Sequence, residues 1–165
     1  MIERRYLAVY LNDHLAAATA AHELVKRAAS SNEGTEYADV LHELEHEIAE
    51  DRAALVRLME RFDVARDRLK VTSAFIGEKL GRLKPNAHLL SYSPLSRAEE
   101  LEILCLGIDG KHALWRALLD LEQADERLDP EELQTLADRA VAQRAELEPY
   151  RLRAVEQALV AAAPA

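Results

Sequence analysis

The sequence predicts an all-α protein, a four-helix bundle, on three observations. Ala, Leu, Glu and Arg dominate its 165 residues while glycine and proline number only five each, so most positions hold strong helix formers. Apolar side chains recur at steps of three and four over long stretches, the spacing that lays one stripe along a helix. Strong punctuation is confined to residues 30–34, the stretch 83–94, and Leu128-Asp129-Pro130. With 49% hydrophobic residues, the chain can bury a core as a single domain over 1–165.

The first helix is expected at about 3–30, with a core stripe of Leu7, Leu11, His14, Ala18, Ala21 and Val25. Thr35 is positioned to cap the second, at about 35–62, whose stripe is Tyr37, Leu41, Leu44, Ile48, Asp51, Leu55, Leu58 and Phe62. Residues 63–95 form a long crossover containing a short helix at about 66–82. The third helix, at about 96–122, opens on Ser96-Arg97-Ala98-Glu99, which has the spacing of a capping box. Its stripe is Ala98, Leu101, Cys105, Ile108, His112, Trp115 and Leu119. Asp129-Pro130 starts the fourth, at about 130–160, with Leu133, Ala137, Ala140, Arg144 and Leu147 facing inward. Two tight connections make two antiparallel hairpins, and a crossover of roughly 33 residues is long enough to span a helix of about 40 Å.

This architecture resembles the ferritin-like four-helix-bundle superfamily, and Tyr10-Leu11-Asn12-Asp13-His14-Leu15 with Gly81-Arg82-Leu83-Lys84-Pro85-Asn86 look like stretches of a small bacterial branch of such bundles. The resemblance implies a fold and the option of a metal, and no particular reaction.

Thirty acidic against 21 basic residues give a net charge of −9, which opposes binding to nucleic acid or an anionic membrane surface. No apolar run is long enough for a membrane span, and the lone Cys105 has no internal disulfide partner, so a cytoplasmic location is expected. On its apolar stripe Cys105 reads as a small buried residue.

Glu43-Leu44-Glu45-His46 has the Glu-x-x-His spacing of a di-iron half-site. Glu43 and His46, however, lie off the apolar stripe of the second helix, and no histidine follows His112 to supply a second motif. The stretch is expected to be a solvated charged face.

Each core stripe instead contains one polar exception. Counting residues from the turns brings His14 beside Asp51, and places Asp51 and His112 at one height with Arg144 within about a turn. The expected result is a buried polar layer of His14, Asp51, His112 and Arg144. Two histidines and a carboxylate have the composition of an Fe, Mn or Zn site, but a guanidinium repels a divalent cation and pairs well with a carboxylate. A structural network is therefore the first reading and a metal site on His14, Asp51 and His112 the second.

Residues 61–84 hold seven basic and three acidic side chains, a local +4 within a chain that is otherwise −13. Arg66, Arg68, Lys70, Lys79, Arg82 and Lys84 can make this crossover an anion-binding surface, or dock it on the protein's own acidic helices. The functional expectation is a non-catalytic helical scaffold or interaction protein, with an unidentified protein or a second copy as partner and no cofactor. The alternative is a ferritin-like metal-binding protein or oxidase.

Overall fold

The computed structural model describes residues 2–67 and 92–160, and these are helical throughout their elements, without a strand. Four long helices account for most of them: α1 (Arg4–Ser31), α2 (Ala38–Arg61), α3 (Pro94–Asp120) and α4 (Pro130–Leu159). A one-turn 3-10 helix, Glu122–Ala124, lies between α3 and α4. The short helix expected at 66–82 falls almost wholly outside the described residues.

Local chemistry accounts for the helix starts. Asp129 accepts from the amides of Glu131 and Glu132 at 3.0 and 3.3 Å, with Pro130 at the first helical position, as its sequence context predicts. Ser93 caps α3 by accepting from the Ser96 amide at 3.1 Å. Ser96 thus sits inside the first turn, because Pro94 is preset for a helical start and moves the cap three residues upstream of the expected box. Thr35 does not cap α2. Its hydroxyl donates to the Asn32 carbonyl at 2.7 Å and accepts from the Tyr37 amide at 3.2 Å, so it shapes the turn and the helix begins only at Ala38.

Packing joins α1 to α2 and α3 to α4 most extensively, with α1 also against α3 and a thinner contact between α2 and α4. The buried apolar residues form two clusters. One gathers Leu24, Val25, Leu41, Ile48, Leu101 and Ile108 with Ala140 and Leu147; the other gathers Leu7, Leu11, Leu55, Phe62, Trp115 and Leu118 with Leu133 and Ala137. Along α2 and α3, the sequence between the clusters contains Asp51 and Lys111. Every residue of the expected α2 stripe, Tyr37 through Phe62, is buried.

Candidate functional site

Between the two apolar clusters, Asp51 is 4% exposed, and an ionised carboxylate there requires compensation. It receives two cations. Lys111 of α3 donates to Oδ2 and Arg139 of α4 to Oδ1, while Gln143 of α4 adds a longer contact to Oδ2 at 3.4 Å. Arg139 also reaches Glu50 at 2.8 Å, so its guanidinium bridges two adjacent acids of α2. Burial pushes the Lys111 ammonium below the usual lysine range, against the opposing pull of Asp51. Three helices are thereby tied at one height. Arg139 Nε and Gln143 Oε1 are buried without a hydrogen-bond partner among the described residues, as is Trp115 Nε1.

The expected layer is therefore displaced. Asp51 occupies its expected place, but its partners are Lys111 rather than His112, and Arg139 with Gln143 rather than Arg144. Arg144, half-buried, pairs instead with Asp109 of α3 at 3.5 Å and with Glu148 of α4 at 2.5 Å. His112 is half-buried next to Lys111. His14 is also half-buried, its ring edge-on to Tyr10 with centroids 4.7 Å apart, while Leu15 takes the core position. Burial lowers the His14 pKa, outweighing Asp13. These displacements have one cause: a helical stripe advances by three or four, so Lys111 and His112, or Gln143 and Arg144, both continue it from the preceding core residue.

Both carboxylate oxygens of Asp51 face cations, which disfavours a divalent ion at that carboxylate through direct charge repulsion. Among the described residues, no group of three or more His, Cys, Asp or Glu is arranged to hold a metal ion. Glu43 and His46 are exposed, and His46 lies 3.8 Å from Glu50 on the same helix. Cys105 is buried, and burial raises its thiol pKa. Of the basic crossover residues, Arg66 is described and pairs with Glu60; Arg68, Lys70, Lys79, Arg82 and Lys84 lie outside the described residues.

Two further buried polar groups lie at the opposite ends of the connection from α2 to α3. Asn12, 8% exposed, donates to the carbonyls of Ala8 and Ala65 at 2.9 and 3.1 Å and accepts from the Asp67 amide at 2.7 Å. It fastens the start of the connection to α1. Near the other end, Asn32 binds the Tyr92 hydroxyl at 2.8 Å, and Arg97 donates to Asn32 at 2.5 Å. Tyr92 then donates to the buried Glu100 at 2.9 Å, which also takes two hydrogen bonds from Arg27 at 3.1 and 2.8 Å. Burial, reinforced by Glu100, holds the Tyr92 hydroxyl above its usual range. The buried asparagines and Glu100 interrupt no apolar repeat that would have marked them in sequence.

On the outside, α1 presents an apolar strip at Tyr6, Val9 and Tyr10, respectively 70%, 45% and 37% exposed. With Ile2, Leu121 and Ala124 these residues line a groove of about 620 Å³. Helix spacing could have marked the strip, since residues 6, 9 and 10 share one face beside the Leu7, Leu11 and Leu15 core face. No protein family, curated protein or solved structure matches this chain.

Proposed function

We propose that this chain is a non-catalytic helical interaction protein: a rigid four-helix frame that presents a docking surface on the first half of α1. The observation that carries the reading is the outward strip of Tyr6, Val9 and Tyr10 beside the exposed Leu121. Aromatic side chains gathered around a groove supply contact area at low entropic cost and are favoured at interfaces. The Asp51 cluster supports the frame, because its charges are engaged with one another and join three helices.

In this reading the helices form two antiparallel hairpins joined by a long crossover, an arrangement of the ferritin-like kind. The tethering of the connection to Asn12 and Asn32, twenty positions apart on α1 and its cap, supports that path. The metal alternative built on His14, Asp51 and His112 is not adopted, because Asp51 is already bracketed by Lys111 and Arg139.

The test is differential capture from an extract of the source cells, using the native chain and a Tyr6→Ser, Val9→Ser double variant whose helicity and melting match the native protein. A protein retained by the first bait and lost by the second is the expected result. Identical protein sets on both baits would sink the reading.

A further inference from the structure

The surface on either side of the 3-10 turn differs in chemistry. Toward α1 lies the apolar groove, whose charged lining residues are Glu3 and Asp13. Toward α4 lies a second groove of about 720 Å³, lined by Asp120, Glu122, Glu131 and Asp138 with neither lysine nor arginine among its lining residues. The segment 119–124 contributes to both, so the apolar and acidic surfaces adjoin one another. The side chain of Asp120 is 75% exposed and forms a long, solvent-exposed ion pair with Arg116 one turn back on α3, at 3.9 Å.

An apolar groove flanked by acids selects an element that combines an apolar stripe with basic residues beside it. Among recurring recognition modes, the amphipathic helix laid in a groove has that form, and charge complementarity sets its orientation and suppresses wrong partners. A second copy of this chain meets the opposite condition. A two-fold contact through the same surface would bring its acids near those of the partner, between chains that each carry −9.

We propose that these adjoining grooves dock a basic amphipathic helix of another protein, its apolar residues entering between Tyr6, Val9 and Leu121 and its basic residues lying over Asp120 and Glu122. This inference rests on the interaction-protein reading above and specifies the partner's chemistry.

The probe is a fluorescein-labelled helical peptide of about 18 residues, five turns, made of leucine on one face and lysine on the other. A leucine–glutamate peptide of the same pattern is the comparison, and binding is followed by fluorescence anisotropy. The native chain binds the lysine peptide and not the glutamate one. Tyr6→Ser with Val9→Ser weakens binding about tenfold, and Asp120→Asn with Glu122→Gln weakens it about fivefold, as expected where contact and steering both contribute. Glu43→Gln with Glu146→Gln removes the same charge outside the grooves and changes affinity less than about twofold.

Equal losses in the two charge variants would reduce the binding to the general charge of the chain and overturn the proposal. So would equal binding of the two peptides, no binding of the lysine peptide, or a dimer in light scattering that the Tyr6, Val9 variant dissolves. If the lysine peptide fails while the extract comparison still loses a protein with that variant, the partner has another chemistry and the interaction reading stands. If the extract comparison shows no difference, both fall.

Discussion

Asp51 is the residue on which the interior depends most, because two half-buried cations on different helices converge on its buried carboxylate. Asp51→Ala is expected to destabilise the fold by about 3 kcal/mol, since it leaves Lys111 and Arg139 without their buried counter-charge. Asp51→Asn costs less, and Lys111→Met less still, because Arg139 continues to neutralise the carboxylate. Urea unfolding of the three variants checks the order; equal midpoints would place Asp51 in solvent. The lowered Lys111 pKa adds a sign. Between its folded value and the ordinary lysine value near 10.4, the unfolded chain binds more protons than the folded one, so this group's contribution rises with pH in that alkaline window. The Lys111→Met variant lacks that rise, and the stability difference between it and the native chain should change with pH in that alkaline window. His14 behaves in the same sense at lower pH. Burial depresses its pKa, so stability falls as pH drops from about 6.5 through the folded value, and His14→Gln is expected to flatten that limb.

At the scale of the helices, caps and buried amides decide where each element begins and what it holds. Asp129 satisfies two free amides at the start of α4, and Asp129→Ala is expected to cost about 1 kcal/mol in thermal or urea unfolding. Asn12→Leu keeps the side-chain bulk but leaves the Ala65 carbonyl and Asp67 amide without this partner. A loss of about 2 kcal/mol is expected, with faster proteolysis near residue 65. The Asp129-Pro130 start was legible in sequence because both residues act locally. The α2 stripe was legible because eight core positions in a row leave little freedom of phase. The α1, α3 and α4 stripes were less constrained. On α1 a run of alanines and Thr19 between the two clusters carries no strong phase, and Leu15 rather than His14 faces the core. Lys111 was passed over because lysine usually marks a surface, yet its flexible stem carries the ammonium inward to Asp51. The contacts of Asn12, Asn32 and Glu100 join residues 53, 60 and 73 apart, and no local pattern encodes such pairs.

Across the whole molecule, the Asp51 cluster is a polar waist between two apolar clusters. A uniform apolar interior would tolerate sliding of one helix past another, since leucine and alanine repeat at similar spacing in every stripe. A carboxylate that must meet Lys111 and Arg139 together permits far fewer alignments. The waist is thus assigned a register role, at a cost in stability set by desolvation of its charges and by the unpartnered Arg139 Nε and Gln143 Oε1. This view distinguishes removing one member from removing all. Asp51→Leu, Lys111→Met, Arg139→Leu and Gln143→Leu combined would join the two apolar clusters and eliminate the buried charges. The fourfold variant is expected to be more stable than the native chain by about 1–4 kcal/mol, opposite in sign to Asp51→Ala alone. It should also lose alignment specificity, seen as broadened or doubled amide resonances at unchanged helicity. A fourfold variant that unfolds earlier than the native protein would show that the charged waist contributes net stability. One that is more stable than the native chain and also gives a single sharp set of resonances would remove the register role and leave the waist with neither function.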